Sequence, residues 1–493
     1  MPNGYCKRSV VVLGAMALAA AFSSVSQTRV IQRHTSSDLD PSRTQSVSSY
    51  AVQPPGSREQ PASVGQQMAA VTPELSFVNE TASDFGQESA SFCGSSMLAA
   101  FGVSIRAHRH GDTVSFTLAS TNTTDVVMYG RAVGPSLVGL SGQRSHDTVS
   151  FSVADAAMWT PGDYQVDVLA TWIGDRFLGQ RWELPNRNDN PPFDEKKRKC
   201  TALKLSGSGC ERFGVSLWRA TLRVNTPKRS VKRACAWEGD GEWVPAPGAD
   251  ALLDDPVGLN RFGGVPWKWV PFGCGEPYRS RKEVEVALAN ARVQKLALFG
   301  DSMLVEQFHM LHNFLAPNSA IVQGKNKRLR SMEFKSDTLH VKFFRSYTTG
   351  GGHSIIASPA TIVSQIASFS PDVVVGNAAV LHWQQNMRSE ADWKRNVVDL
   401  HARFTEALSR VRTIYFGPTL IQMGRTQGLQ PQRTAAFAAI AQQALRSWEF
   451  FNPAALSIPR RESAFDGQHW ACYHTFGGVS HTISQLLLRR VAP

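Results

Sequence analysis

No two cysteines of this chain stand at the short paired spacing of a zinc site, which removes the common structural metal modules. No glycine fingerprint follows the first apolar strand of the C-terminal half, so a nucleotide held on a doubly wound sheet is excluded as the leading function. Long apolar runs are also missing. The longest, Val10–Phe22, has 13 residues, about 20 Å of helix against the roughly 30 Å of a bilayer core. Aromatic residues are scarce between Gln27 and Thr72, where Ser, Thr, Gln, Arg and Pro dominate. Such a stretch cannot bury enough apolar surface to fold and is expected to form a disordered stem, residues 27–72.

What is present begins at the N-terminus. Lys7 and Arg8 precede the apolar run, and Ser23-Ser24-Val25-Ser26 follows it with small residues. Residues 1–26 therefore have the layout of a signal peptide, with an uncleaved type II signal anchor as the other reading. Either one sends the chain into the secretory pathway, to the Golgi or outside the cell. Membrane contact is then expected only through this segment, if it is retained. Of seven cysteines, six lie beyond it: Cys93, Cys200, Cys210, Cys235, Cys274 and Cys472. An even number in that compartment points to disulfides whose pairing the sequence does not fix. Asn79 and Asn122 head glycosylation sequons. The net charge of +12 gathers in runs such as Lys196–Lys199, Lys228–Arg233, Arg279–Lys282 and Lys325–Arg330. Outside the cytosol these read as solvated surface or contacts to anionic glycans, and no nucleic acid partner is expected.

From residue 73 to 185 the texture changes. DTVSFTL (Asp112–Leu118), DTVSFSV (Asp147–Val153) and GDYQVDVLATW (Gly162–Trp172) alternate polar and apolar residues between turn signals. Short strands at this spacing predict an immunoglobulin-like β-sandwich, adhesive or simply a spacer. Residues 186–232 read as a basic linker with Cys200 and Cys210 in a small loop. From 233 to 493 comes a third region, opened by a tryptophan-rich block containing Trp243, Trp267 and Trp269. Those rings are expected either to stack on sugars at a substrate site or to line a lid, with Cys235 and Cys274 pinning it.

Beyond this block, apolar strands alternate with helices, which predicts an α/β/α three-layer domain with a mainly parallel sheet. Leu296–Phe299 reads as its first strand, Thr338–Tyr347 as another, and Val373–Val375 as a buried strand ending in Gly376-Asn377. Helices are expected over Ala360–Phe369, Glu390–Val411, Arg433–Trp448 and Gly478–Arg490, with a strand at Thr413–Phe416.

Three places in this domain carry chemistry. Gly300-Asp301-Ser302 puts a serine hydroxyl at a strand-to-helix turn, at the sheet edge where open α/β folds place their sites and where helix amides favour negative charge. Asn377 follows a middle strand, and its side-chain amide can donate to an oxyanion. Asp466-Gly467-Gln468-His469-Trp470 precedes the last helix, and an Asp three residues before a His can orient its imidazole. Ser302, Asp466 and His469 are thus the candidate nucleophile, orienting acid and base. His382, in VLHW, is a candidate pocket residue, as is Trp470. Arg345, ending VKFFR, reads as a surface residue, with an anionic donor as the alternative. His309 and His312 share a helix face without a third ligand, and no metal is expected.

These blocks resemble the SGNH/GDSL superfamily, and more narrowly its PC-esterase branch, which includes trichome-birefringence-like and neurexophilin-and-PC-esterase proteins. The matching stretches are Cys-x-Trp-x-Gly at Cys235, WKWVPFGC, LALFGDS with Gln307, VVVGN and DGQHW. The resemblance implies an acyl-serine at Ser302, with Gly376, Asn377 and the Ser302 amide around the oxyanion. It implies an O-acetyltransferase or acyl esterase acting on glycan hydroxyls, with an acyl donor and no bound cofactor. The upstream strands resemble an immunoglobulin/filamin-like domain. Gly467 stands where plant members carry Cys, Val305 where they carry Arg, and the block supplying a second oxyanion amide is not recognisable. A non-catalytic glycan- or protein-binding role on an inactive esterase scaffold is the alternative.

Overall fold

The computed structural model describes residues 75–81, 103–110, 113–120, 126–140, 142–145, 147–153, 156, 158–174, 176–178, 181–182, 193–194, 199–200, 205–206, 214–225, 237–246, 267–324, 331–350, 353–386, 388–419, 430–460, 469–470 and 478–493. Every described residue belongs to one compact unit within Ser48–Pro493. The leader, the stem, Asn122, Cys93, Cys210, Cys235, Cys472 and Asp466 lie outside the described residues. Among the described residues no helix is long and apolar enough to cross a membrane.

The C-terminal part is built on a seven-stranded sheet. Lys295–Gly300 lies between His340–Arg345 and Val373–Gly376, parallel to both. Arg412–Phe416 and Glu449–Phe451 continue the parallel run, while Ser331–Lys335 and Val322–Gln323 add an antiparallel edge. The central strands KLALFG and VVVG are buried almost end to end. That is the continuous apolar pattern required when helices cover both faces of a sheet. The second parallel strand in sequence lies on one side of the first, and the third lies on the other. Right-handed crossovers then send the helices Ser302–Leu315 and Pro359–Phe369 to opposite faces. The first packs with Gly478–Val491 and the second with Glu390–Ala407. Between those departures a crevice opens at the carboxyl ends of Lys295–Gly300 and Val373–Gly376, the topological switch point.

Upstream, eight antiparallel strands form a second sheet, and Val103–His110, Thr113–Ser120, Thr148–Ser152 and Gly142–Ser145 form a third. Side chains from both, including Val149, Phe151, Tyr164, Val166 and Trp218, share one apolar cluster. Asn79 sits at a register break in Leu75–Thr81, where that strand pairs with Val215–Val224.

Trp243, Trp267 and Trp269 of the tryptophan-rich block sit in paired strands and face the interior, not a substrate. Gly241–Pro245 and Trp267–Pro271 pair with each other, and Glu242 and Trp243 pair with Val138 and Leu137 of the upstream sheet. Trp243, Trp267 and Trp269 are 0%, 3% and 1% exposed. In Trp267–Pro271 the buried Trp267, Trp269 and Pro271 alternate with half-buried Lys268 and Val270, so the rings lie on the interior face of the strand. Trp243 Nε1 donates to Leu456 O (2.9 Å), and Arg460 lies over the Trp243 ring, 5.0 Å from its centroid. Glu242, also buried, accepts Ser136 Oγ (2.6 Å), Thr160 N (3.0 Å) and Thr160 Oγ1 (3.1 Å). Leu137 belongs to the same apolar cluster as the seven-stranded sheet. Cys274 is disulfide-bonded.

Candidate active site

Ser302 opens its helix because three local features converge. Gly300 ends the strand at φ +155°, where a Cβ would lie 2.0 Å from Asn377 Oδ1. The position is open only to glycine. Asp301 is extended (φ −99°, ψ −165°) and caps the helix, its Oδ1 accepting Met303 N at 3.1 Å. Ser302 then takes the first helical position, where its own N–H has no intrahelical acceptor and the helix dipole favours negative charge.

Asp301 and Asn377 form a reciprocal buried pair. Asn377 Nδ2 donates to Asp301 Oδ1 (2.7 Å), and Asp301 N donates back to Asn377 Oδ1 (3.2 Å). Ala379 N also donates to Asn377 Oδ1 (3.1 Å), and Leu381 N donates to Asp301 Oδ2 (3.1 Å). Burial pushes the Asp301 carboxyl up, against the pull of the Asn377, Leu381 and Met303 donors. An amide nitrogen carries two hydrogens, so Asn377 keeps one to give elsewhere. Its turn is strained: Ala378 and Ala379 both lie in the left-handed region, at φ 52° and 59°. Such backbone persists only where surrounding contacts impose it. Gly376 pairs across from Phe299, whose ring would meet a Cβ there at 1.9 Å.

His469 comes from the other end of the chain. Its Nε2 lies 2.7 Å from Ser302 Oγ. What holds it there starts one turn along the nucleophile helix. Glu306, four residues after Ser302 and fully buried, accepts Trp470 N (3.3 Å) and Ser480 Oγ (3.0 Å) through Oε2. Next to it, Gln307 Oε1 accepts Ser484 Oγ at 2.7 Å. The helix bearing Ser302 therefore also anchors the segment bearing the imidazole. Trp470 is 0% exposed and serves this anchor; it is not available to a substrate.

His382, in the helix Val380–Gln385, is 8% exposed and packs on Tyr347, ring centroids 3.5 Å apart and planes tilted by 30°. Its pKa is pushed down to about 3, first by burial and then by the positive charges of Arg345 and His469. It is a neutral ring at the edge of the site. Arg345 ends the strand beside the nucleophile strand and is the register partner of Gly300.

The structure thus brings Ser302, Asn377, Gly376, His469 and His382 to one sheet edge, and withdraws the four tryptophans into the interior. Asp301, Glu306 and Tyr347 are neighbours that sequence reasoning gave no role. The signal for Glu306 was present: a carboxylate one turn from the serine, in a helix otherwise almost wholly apolar on that face.

No family model matches the sequence, and no curated protein matches it. Solved structures do align. A GDSL-like lipase from Bacteroides thetaiotaomicron is 11% identical over 43% of this chain and 98% of its own, with a TM-score of 0.27. A lipase/acylhydrolase from Enterococcus faecalis is 15% identical, covering 40% of this chain and 95% of its own, at a TM-score of 0.27. A peptidoglycan O-acetylesterase is 11% identical, covering 44% and 96%, at a TM-score of 0.26. At such scores the likeness carries no functional argument, which rests on the Ser302–His469 geometry alone.

Proposed function

We propose that this chain is a serine-dependent acyl-transfer enzyme of SGNH type, an O-acyltransferase or acyl esterase acting on glycan hydroxyls in the secretory pathway. The observation that carries it is the 2.7 Å contact between His469 Nε2 and Ser302 Oγ at a helix N-terminus. Ser302 Oγ attacks the acyl carbonyl while His469 Nε2 takes its proton. The tetrahedral oxyanion meets the Ser302 N–H and the second hydrogen of Asn377 Nδ2. Collapse breaks the bond to the leaving group, which receives the proton from His469 and leaves the acyl group on Ser302. An acceptor hydroxyl, or water, then loses its proton to His469 and attacks the acyl-serine; as the acyl–Oγ bond breaks, His469 returns that proton to Ser302 Oγ. Asp466, three residues before His469, would hold the imidazole in the tautomer this requires. No metal or bound cofactor takes part in this scheme. The upstream sheets would be the immunoglobulin/filamin-like domain of the PC-esterase branch.

The test is direct. A fluorophosphonate probe is expected to label the folded wild-type chain at Ser302, and Ser302→Ala is expected to lose both labelling and hydrolysis of acetylated chromogenic esters and glycans. Wild-type activity in Ser302→Ala would sink the proposal, and an unlabelled, inactive but folded wild type would favour the non-catalytic binding role.

A further inference from the structure

Arg345 stands beside the nucleophile with its charge uncommitted. It is the register partner of Gly300 across two parallel strands, about 4.8 Å apart, and Ser302 follows two residues after that glycine. Ser346 N donates to Gly300 O at 3.1 Å, fixing the Arg345 backbone against the turn. The guanidinium lies over the Tyr347 ring, 5.2 Å from its centroid, and the other face of the cluster is His382 packed on Tyr347. Among the described residues Arg345 has no carboxylate partner, and its buried Nε has no hydrogen-bond acceptor. The nearest acid in this network, Asp301, is already satisfied by Asn377, Met303 and Leu381. Ser346 is 3% exposed, and its hydroxyl also lacks a partner among the described residues. Leaving a buried donor unmade is destabilising, so a residue kept in that condition beside Ser302 calls for an acceptor from outside.

We propose that Arg345 is a specificity residue that binds an anionic oxygen group, a carboxylate or phosphate, carried by the substrate of the Ser302 site. This rests on the acyl-transfer proposal and names the substrate class more narrowly. A planar guanidinium with a free Nε matches a two-oxygen anion in bidentate fashion, and an ammonium would not. Tyr347 supports the guanidinium from below as a cation–π partner. The neutral His382 ring leaves Arg345 as the charge that selects. The anion has two possible carriers, an acidic sugar as acceptor or a phosphorylated acyl donor. The net charge of +12 favours approach of either.

The test measures binding without turnover, on the full chain carrying Ser302→Ala, by ligand-observed NMR titration. The probes are methyl β-glucuronide, methyl β-glucoside and inorganic phosphate. At least tenfold tighter binding of glucuronide than of glucoside places the anion on the acceptor; the same preference for phosphate places it on the donor. Added Arg345→Gln is expected to bring that preference to near one, and Arg345→Lys to retain part of it. Equal affinity for the three probes overturns the proposal, as does a preference that survives Arg345→Gln in a folded protein. The three-probe comparison stands even if Arg345→Gln does not fold. Because no step of the reaction is read, a failure of Ser302 to label with fluorophosphonate would remove the acyl-transfer proposal and leave the anion site standing.

Discussion

At the scale of single residues, the site depends on atoms that touch no substrate. Gly300 is the sharpest case. Gly300→Ala would drive a methyl into Asn377 Oδ1, 2.0 Å away, at a backbone angle that L-residues avoid. The Asp301–Asn377 pair would part, and with it the placement of the serine. The expected outcome is a loss of roughly 100-fold in kcat or more, with a lowered melting temperature, measured by ester hydrolysis and thermal denaturation. Glu306 acts through the opposite partner. Glu306→Ala leaves Trp470 N and Ser480 Oγ without their acceptor and should destabilise the fold by about 1–3 kcal/mol. Its kinetic signature should be a fall in kcat with little change in KM, because the imidazole is displaced while substrate contacts remain. Glu306→Gln keeps an acceptor oxygen and should recover most of the rate; equal losses in both variants would show that the charge, rather than the hydrogen bonds, matters.

At the scale of elements, Ala378 and Ala379 hold two successive left-handed residues between the strand Val373–Gly376 and the helix Val380–Gln385. Each non-glycine residue in that region costs about 1 kcal/mol. Ala379→Gly is therefore expected to raise the melting temperature by a few degrees; an unchanged or lower value would mean that glycine's extra unfolded-state freedom outweighs the relieved strain. This turn was invisible in the sequence, since alanine carries no turn signal. Other elements were plain. KLALFG and VVVG are fully buried strands, and uninterrupted apolar runs say so directly. The helix Glu390–Ala407 stops short of Val411 because Leu408 leaves helical geometry (φ −137°, ψ 36°) and the chain turns toward the next strand. The helix Arg281–Asn290 was hidden behind its basic residues, although Ser280 and Glu283 form a capping box. The edge strands Val322–Gln323 and Ser331–Lys335 flank a basic run and have too little apolar content to stand out. The tryptophan block left two readings open for a physical reason: an aromatic strand and an aromatic binding face share one composition, and only the partner strand distinguishes them. At the site, Ser302 and His469 were legible as motifs; Glu306 showed only as an isolated carboxylate in an apolar helix, and its partners Trp470 and Ser480, like the Asn377 partner of Asp301, are tertiary contacts that no local pattern encodes.

At the scale of the whole molecule, stability should respond to acid through buried imidazole. His382 has a folded pKa of about 3 against 6.5 when free. Between those values the unfolded chain binds a proton that the folded chain refuses, so stability falls as pH drops from 6.5 toward 3, by about 1.4 kcal/mol per unit. Asp301, whose carboxyl is pushed up, works in the opposite direction, gaining stability as pH falls. Comparison with His382→Asn isolates the first effect: the variant should show a shallower acid loss in chemical denaturation, and parallel curves would refute it. A second prediction concerns how the chain is divided. A fragment beginning at residue 233 would keep Gly241–Pro245 and Trp267–Pro271 but lose Leu137–Leu140, exposing an aromatic edge. It is expected to aggregate on size-exclusion chromatography where the full chain does not.

The same strand pairing has a consequence for biosynthesis. Leu137–Leu140 leaves the ribosome roughly a hundred residues before the strand that covers it, a delay of about 10 s at ordinary translation rates. Glu242, which Ser136 and Thr160 await, arrives only then. During that interval the nascent upstream sheet presents an open edge and an unfilled polar socket to whatever surveys new chains. Completion of the upstream sheet thus waits on the synthesis of Gly241–Pro245.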